Sequence, residues 1–383
     1  MLIFVSINII LFAAYTILIE YYRRAWNAIP NYIPGEAGIH LLTTKISVII
    51  PVRNEEKNIR HLLDRIFQQS YPKILYQVIV VDDHSTDNTW NLINSLHYEE
   101  MNLICLKLAD YSSNLKTSSY KKFAIETAIN MASGDLIVTT DADCEPLPDW
   151  IRTIASFYQT TNAKFIAAPV KINSVNSFLS IFQTLDFLTL QGITGASLFK
   201  KIHSMCNGAN LAYEKKAFYE VRGFHDIDDI PSGDDMFLMH KIYKKYPDQV
   251  FFLKNKNAVV STQPEKSWSG FINQRIRWAS KADKYDDQRI FWVLVLVYIV
   301  NLLIASLLIA SFWDNMYLLL LLSLLLVKTL IEFPFVKSAA AFFNQQKLMA
   351  YFPLMQPLHI VYTIVIGWLG KFGSYQWKGR KIN

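Results

Sequence analysis

Apolar residues are concentrated at the two ends of the chain. Residues 2–19 form a run without a charged side chain, and further apolar runs cover residues 290–313 and 316–335. Each run is about as long as a helix that crosses a bilayer, so we expect an N-terminal anchor and two later transmembrane helices. A cleaved signal peptide is less favoured, because its basic residues would precede the apolar run. Here Arg23 and Arg24 follow the run.

A fourth apolar stretch, residues 351–369, contains two prolines and a histidine. If it crossed the membrane, the basic tail of residues 371–383 would lie outside, against the usual preference of basic residues for the cytoplasmic side. Two interpretations stay open. The stretch is interfacial or re-entrant, or an additional short crossing lies near residues 338–350.

Basic residues flank the apolar runs on the side of the central region. Arg23 and Arg24 follow the first run, and Lys281, Lys284 and Arg289 precede the second. The positive-inside rule therefore predicts that the central region lies in the cytoplasm. We expect an integral protein of the inner or plasma membrane that contacts membrane lipids.

The composition excludes several classes of protein. Charged residues make up 18% of the 383 residues, against about 25% in a typical soluble domain. Gly and Pro number 13 each and Cys only 3, so the chain is neither a low-complexity protein nor a disulfide scaffold. The net charge of +6 lies largely beside the apolar runs, where anionic lipid accounts for it better than nucleic acid does.

The central region alternates between short β-branched runs and amphipathic segments. Expected strands cover residues 46–51, 77–81, 103–108 and 135–140. One expected helix begins after a cap at Asn54, and another runs from Asp87 to Leu96. Further helices are expected over residues 119–132, 236–243 and 267–281. This alternation predicts an α/β domain with a mostly parallel sheet. Ligands of such sheets bind at the carboxyl ends of the strands.

Carboxylates follow these strands. Asp141 and Asp143 come after the strand that ends at Thr140, and residues two apart in an extended segment point to the same side. Two such carboxylates suit Mg²⁺ or Mn²⁺, whose remaining ligands are commonly phosphate and water. The motifs G-x-G-x-x-G and G-x-x-x-x-G-K-[ST] are absent, which argues against a dinucleotide oxidoreductase and a P-loop NTPase.

Three further segments carry polar groups that exceed structural needs. Asp82 and Asp83 end an earlier strand, and Asp234 and Asp235 open a helix. Capping explains one acid at a helix start, and a second can act as a general base. The segment QRIRW (274–278) lies on an amphipathic stretch before the second membrane run. Its arginines suit phosphate oxygens and its tryptophan a sugar face.

Five segments in order resemble glycosyltransferase family 2: PVRNEE (51–56), VDDHSTD (81–87), TTDADC (139–144), SGDDMF (232–237) and QRIRW (274–278). The likeness covers about residues 44–285. It is greatest to the membrane-embedded branch of polysaccharide synthases and ceramide glucosyltransferases that carries a Q/R-x-x-R-W motif. The resemblance implies an inverting enzyme with a GT-A, Rossmann-like α/β domain in the cytoplasm, flanked by transmembrane helices.

The resemblance also implies roles for individual residues. Asp141 and Asp143 would hold Mg²⁺ or Mn²⁺. Asp235 would be the general base, with Asp234 at a position that is often Glu in the family. The nucleotide-sugar site would consist of Pro51, Arg53, Glu55, Asp83, Lys121 or Lys122, Asp141, Asn207, Gln274, Arg277 and Trp278. Ala124 and Ile125 replace the usual Ala-Leu pair after the lysine, and the preceding glycine is missing.

The sequence leaves three functions open. The first is transfer of one sugar, from UDP-glucose or UDP-N-acetylglucosamine, to a hydroxyl of a lipid acceptor. The second is processive synthesis and export of a β-linked glycan, in which a small membrane subunit would complete the pore. The small number of membrane runs favours the first. The third, a non-catalytic membrane scaffold, is disfavoured because every motif acid is present.

The expected organisation has four parts. An anchor (1–24) precedes the glycosyltransferase domain (44–285), which is followed by a C-terminal membrane region (290–370) and the basic tail (371–383).

Overall fold

The computed structural model describes most of the chain. The described residues are 2–35, 42–96, 102–111, 119–173, 175–202, 205–228, 230, 232–281, 287–377 and 380–382, with side chains from residue 8 to residue 375. Two of the basic residues used in the topology argument, Lys284 and Lys378, lie outside the described residues.

The elements follow one another in a mixed α/β order. The helices are α1 (Leu2–Ala28), α2 (Ile59–Phe67), α3 (Thr89–Ser95), α4 (Tyr120–Met131), α5 (Trp150–Thr161), α6 (Phe178–Lys200), α7 (Lys215–Glu220), α8 (Asp234–Lys245), α9 (Trp268–Ala279), α10 (Gln288–Ala310), α11 (Asn315–Phe342) and α12 (Phe352–Phe372). The strands are β1 (Ile46–Val52), β2 (Tyr76–Asp82), β3 (Leu103–Lys107), β4 (Leu136–Thr139), β5 (Glu145–Pro146), β6 (Phe165–Ala167), β7 (Val170–Ile172), β8 (Leu211–Glu214), β9 (Val250–Phe252), β10 (Val260–Thr262), β11 (Tyr375–Trp377) and β12 (Arg380–Ile382).

The chain divides into two compact units. The sheet unit comprises Pro30–Asn173 and Ser204–Gln263, and the helical unit comprises Met1–Ile29, Ser174–His203 and Pro264–Asn383. The sequence-based domain of residues 44–285 therefore contributes to both, because α6 and α9 belong to the helical unit.

A seven-stranded sheet forms the centre of the sheet unit, in the order β3-β2-β1-β4-β8-β6-β9. The first four strands are parallel, and β8 is antiparallel to both of its neighbours. Val48, Ile49 and Ile50 of β1 are completely buried, as expected for a parallel strand covered on both faces. The predicted mixed α/β fold and the four predicted strands are confirmed. Strand β8, which reverses direction, was not predicted.

One predicted helix start is wrong. Asn54 was expected to cap the first helix of the sheet unit, but α2 begins at Ile59. Asn54 has a left-handed backbone (φ 54°), and its side-chain oxygen accepts from the Thr86 N–H at 2.8 Å. It therefore joins the loop after β1 to the loop after β2. The apolar face of α2 is buried as predicted.

In the helical unit, three of the described helices (α10, α11 and α12) are long and apolar enough to cross a membrane. Their exposed surface carries large apolar side chains, such as Trp292, Leu319 and Trp368. Helix α1 packs against α6 and α11, and its crossing of the membrane stays a prediction. Residues 338–350 form no separate crossing helix, because α11 continues to Phe342 and a short 3₁₀ segment follows.

Candidate active site

The loops after β1 and β2 meet at the carboxyl end of the sheet. Arg53 follows β1, and its guanidinium donates to the carbonyl oxygens of Asp83 and His84 at 2.8 and 3.1 Å. Asp83 is buried and its Oδ1 lies 3.0 Å from His84 Nδ1. Neighbouring parallel strands bring these loops together, because Val52 of β1 is in register with Asp82 of β2. Predicted residues Arg53 and Asp83 therefore share one site.

Glu55 and Pro51 lie at the same strand end. The Glu55 N–H donates to the Thr89 hydroxyl at 2.8 Å, and the Glu55 carboxylate accepts from Asn58 at 2.8 Å. Pro51 is part of β1, opposite Val81 of β2. These residues line the rim of the sheet next to the β1 and β2 loops.

Asp141 and Asp143 follow β4, the other neighbour of β1. The segment turns instead of continuing extended, since the Cys144 N–H donates to the Asp141 carbonyl at 3.2 Å. Asp141 and Asp143 remain partly exposed while Ala142 and Cys144 are buried. The expected extended conformation of this segment is therefore wrong, although the two aspartates are still its partly exposed residues. The Thr262 hydroxyl donates to Asp143 Oδ2 at 3.1 Å.

Lys121 joins two of the predicted acidic segments. Its Nζ lies 2.8 Å from Asp141 Oδ1 and 3.6 Å from Asp234 Oδ2. Burial opposes the charged ammonium, but the carboxylates of Asp141 and Asp234 outweigh burial and raise the pKa of Lys121 above its ordinary value. Lys121 is therefore a permanent cation between the acid after β4 and the acid pair that opens α8.

Backbone donors hold Asp235, the second acid of the pair that opens α8. Gly233 has a positive φ of 78° just before α8, a conformation that glycine adopts without a steric penalty. Asp235 Oδ2 accepts from the Gly208 N–H at 2.8 Å, and its Oδ1 accepts from the Met236 N–H at 2.8 Å. These two bonds fix the orientation of the Asp235 carboxylate against the loop that contains Asn207.

That loop is itself rigidly attached. The Asn207 side-chain oxygen accepts from the Ala209 N–H at 3.0 Å. Asn210 is completely buried, donates to the carbonyls of Pro169 and Ala258, and accepts from the Trp150 indole N–H at 2.9 Å. The sequence analysis did not single out Trp150. A buried polar residue has to find partners inside the protein, and these partners position the Asn207 loop.

The two adjacent lysines face different surroundings. Lys122 Nζ donates to the carbonyls of Ile227 and Ile230 at 2.5 and 2.7 Å, whereas Lys121 faces the acids. Lys122 therefore anchors the segment that leads into the acid pair. Of the two lysines, Lys121 is therefore the one that lies among the carboxylates.

The cysteines near the site are unsuited to nucleophilic chemistry. Burial, and then the charges of Asp235 and Asp234, raise the pKa of the Cys206 thiol. Burial, and then Asp143 and Asp141, raise the pKa of the Cys144 thiol. Because the reactive form of cysteine is the thiolate, both side chains stay inert at neutral pH.

Gln274, Arg277 and Trp278 lie on α9, in the helical unit. All three are partly exposed, whereas their neighbour Arg275 is buried. Arg275 pairs with Asp186 of α6 at 2.7 Å, and its guanidinium lies 4.1 Å from the centre of the Trp278 ring. The sequence analysis assigned both arginines of the motif to phosphate oxygens, but Arg275 forms this buried ion pair instead. Asp186, which the sequence analysis did not single out, thereby links the motif helix to α6.

No group of three or more His, Cys, Asp or Glu side chains that could hold a metal occurs among the described residues. A site of two carboxylates is still the ordinary protein contribution to a Mg²⁺ or Mn²⁺ ion that a diphosphate completes. Asp141 and Asp143 provide oxygen ligands of this kind at a partly exposed strand end.

A mostly parallel sheet with acids after its parallel strands is the arrangement of the GT-A fold, and three of the described helices are apolar enough to cross a membrane. The chain belongs to glycosyltransferase family 2. The family model described as Glycosyl transferase family group 2 matches residues 136–368, and the one described as Glycosyl transferase family 2 matches residues 47–222. The resemblance seen in the sequence is thereby confirmed.

The chain is similar to a probable glycosyltransferase, YdaM, of Bacillus subtilis (27% identity, covering 61% of this chain and 54% of that protein). The chain thus spans about half the length of that relative. It is also similar to a Methanococcus voltae enzyme, dolichyl N-acetyl-alpha-D-glucosaminyl phosphate 3-beta-D-2,3-diacetamido-2,3-dideoxy-beta-D-glucuronosyltransferase (27% identity, 61% of this chain, 72% of that protein).

Among solved structures, the mannosyltransferase PcManGT from Pyrobaculum calidifontis, in complex with GDP-Man and Mn²⁺, has a similar fold. The TM-score is 0.57 and the identity 20%, covering 92% of this chain and 99% of that one. This likeness confirms the expected fold class.

Proposed function

We propose that this enzyme transfers a sugar from a nucleoside diphosphate sugar to a hydroxyl of a lipid-linked acceptor, with inversion at the anomeric carbon. The observation that carries the proposal is the cluster around Lys121. It joins Asp141, on the donor side of such a reaction, to the pair Asp234 and Asp235, on the acceptor side. Both halves of a single displacement are therefore present within one unit.

The donor would bind at the ends of β1, β2 and β4. Asp83 and Arg53 lie where a base or ribose can be held, with Pro51 and Glu55 at the rim and the Asn207 loop beside Asp235. Gln274, Arg277 and Trp278 would add contacts to the diphosphate and to the acceptor. UDP-glucose and UDP-N-acetylglucosamine are the donors that we expect, and GDP-mannose belongs in the same panel because PcManGT holds it.

A divalent cation fits the oxygen ligands of Asp141 and Asp143. When bound, Mg²⁺ or Mn²⁺ would neutralise the charge of the departing nucleoside diphosphate. The chain contributes the two carboxylates and the Thr262 hydroxyl that holds Asp143.

Asp235 would remove the proton from the acceptor hydroxyl as that oxygen attacks the anomeric carbon. A carboxylate has about four lone-pair positions, and the N–H groups of Gly208 and Met236 use one on each oxygen. The two bonds therefore orient the base.

A lipid acceptor agrees with the apolar helices α10, α11 and α12. The Methanococcus relative is named for a dolichyl-linked sugar phosphate. We place the sheet unit in the cytoplasm, because Arg23 and Arg24 follow the apolar part of α1 and Arg289 stands at the start of α10.

The direct test is mass spectrometry of lipids after membranes containing the enzyme are incubated with each nucleotide-sugar and Mg²⁺ or Mn²⁺. A lipid heavier by one hexose or N-acetylhexosamine is the expected product. A ladder of many additions would indicate processive synthesis instead. Absence of any sugar transfer across the panel, with wild-type and Asp235→Asn membranes giving the same lipids, would contradict the proposal.

A further inference from the structure

Lys121 occupies an unusual place for a cation. It is the second residue of α4, where the helix dipole disfavours positive charge. The first turn of α4 contains no acid that would compensate. The acids that do compensate come from elsewhere in the sheet unit, after β4 and at the start of α8.

The charges around Lys121 are unequal in number. Asp141, Asp234 and Asp235 all act on the one ammonium. Acids this close to one another repel, and one cation among them relieves the repulsion. Lys121 thus lowers the electrostatic repulsion among these carboxylates when no ligand is bound.

The same placement obstructs a divalent cation. The Lys121 ammonium is 2.8 Å from Asp141 Oδ1, so it holds one of the oxygens that a metal would use and repels an approaching cation. Its second partner, Asp234, is 3.6 Å away and offers the ammonium an alternative carboxylate. A small side-chain movement suffices, since a lysine chain has four rotatable bonds.

We propose that Lys121 is the resident counter-cation of this site, which a divalent cation displaces from Asp141 and which then pairs with Asp234. The inference rests on the proposed metal-binding role of Asp141 and Asp143. Metal binding and the acid pair of α8 are then coupled through one side chain. The arrival of the donor's cation moves a positive charge next to Asp234 and the general base Asp235.

The test measures Mn²⁺ binding to the purified full-length protein in detergent micelles, without nucleotide-sugar, from the electron paramagnetic resonance signal of free Mn²⁺. Lys121→Met removes the competing charge and should tighten binding about tenfold, the size of a one-unit electrostatic shift. The matched control is Lys73→Met, an exposed lysine before the amino end of β2, which should bind as the wild type does.

A Lys121→Met protein that binds Mn²⁺ as weakly as the wild type, or more weakly, overturns the inference. Lys121→Gln, which can still donate to Asp141, serves if the methionine variant does not fold, and thermal unfolding reports the folded state of each. Asp141→Asn separates the two proposals. If it binds Mn²⁺ like the wild type, the metal role of Asp141 fails. If it loses Mn²⁺ while Lys121→Met is unchanged, only the counter-cation role fails.

A double-mutant cycle tests the second half of the exchange. Asp234→Asn removes the carboxylate that receives the displaced lysine, so it should weaken Mn²⁺ binding in the wild-type background by more than in the Lys121→Met background. Coupled residues give non-additive effects of this kind. Equal effects in the two backgrounds would show that Lys121 does not move to Asp234.

Discussion

Two lysine–carboxylate clusters, one in each unit, have nearly the same chemistry and different surroundings. In the sheet unit, Lys121 faces Asp141 and Asp234, whose side chains are 36% and 12% exposed. In the helical unit, Lys328 pairs with Glu332 at 2.7 Å and is completely buried. Burial decides what each cluster can do.

The cluster around Lys328 is closed. Glu332 accepts from Lys328, from Gln356 of α12 at 2.6 Å and from the hydroxyl of Tyr15 of α1. Lys328 donates also to Gln356 at 2.8 Å. Ionised groups in an apolar region are tolerated when they satisfy one another, and this network links α1, α11 and α12. The cluster around Lys121, by contrast, has more acid than base and is open enough to exchange partners.

The largest expected effect is a loss of turnover without a loss of stability, in a variant of the sheet unit. Asp235→Asn keeps the size of the side chain but cannot take a proton. Its single amide oxygen keeps one of the two bonds from the N–H groups of Gly208 and Met236, because an amide nitrogen does not accept. Turnover should fall about 10²- to 10⁴-fold, while donor binding, measured by isothermal titration calorimetry, and the melting temperature stay close to wild type. Asp234→Asn is the companion variant, and its main effect should fall on Mn²⁺ binding instead. Near-normal turnover in Asp235→Asn with an inactive Asp234→Asn would move the base to Asp234.

In the helical unit, we expect a substitution to lower stability and not to remove a catalytic group. Glu332→Gln leaves Lys328 charged and buried without its counter-ion, which typically costs about 3–5 kcal/mol of stability. The double variant Lys328→Met with Glu332→Met removes both charges and should recover most of that loss. Thermal unfolding in micelles measures both. If the folded single variant lost turnover and kept its stability, the cluster would belong to the function and the comparison would fail.

Much of this arrangement could be predicted from the sequence, because strand periodicity and strand-end acids are local signals. The convergence of Arg53, Asp83 and Asp141 follows from parallel neighbours in the sheet. The family resemblance assigned the roles. Asn54 was misplaced because its left-handed backbone and its bond to Thr86 are tertiary features.

The partners within each cluster could not be predicted. Lys328 and Glu332 were visible as charges near the end of an apolar run, but Tyr15 lies 317 residues from Glu332 along the chain. Likewise, nothing local links Lys121 to Asp141 and Asp234. Long-range pairs of this kind depend on how the helices pack, which the spacing of residues does not encode.

A smaller effect is expected for the arginine of the motif helix. Arg277→Ala should weaken donor binding about 10- to 100-fold, because a charged hydrogen bond contributes about 1.5–3 kcal/mol, and should lower the rate as well. Calorimetry with UDP-glucose or UDP-N-acetylglucosamine and Mn²⁺ measures the loss. The control is Arg289→Ala, at the start of α10, whose guanidinium pairs with Asp287 at 2.8 Å. Equal losses in both variants would indicate a general effect of charge and not a phosphate contact.

The smallest expected effect is that of Thr262, which orients Asp143. Thr262 of β10 donates its hydroxyl to Asp143 Oδ2 at 3.1 Å, and Thr262→Val removes this bond while keeping the shape of the side chain. A single hydrogen bond contributes about 0.5–1.5 kcal/mol, so Mn²⁺ binding should weaken about two- to tenfold and stability should change little. Thr161→Val is a suitable control, since that hydroxyl only bonds the Phe157 carbonyl within α5. Loss of Mn²⁺ binding beyond a hundredfold would mean that Thr262 contacts the metal itself, whereas no change would mean that Asp143 keeps its orientation without help.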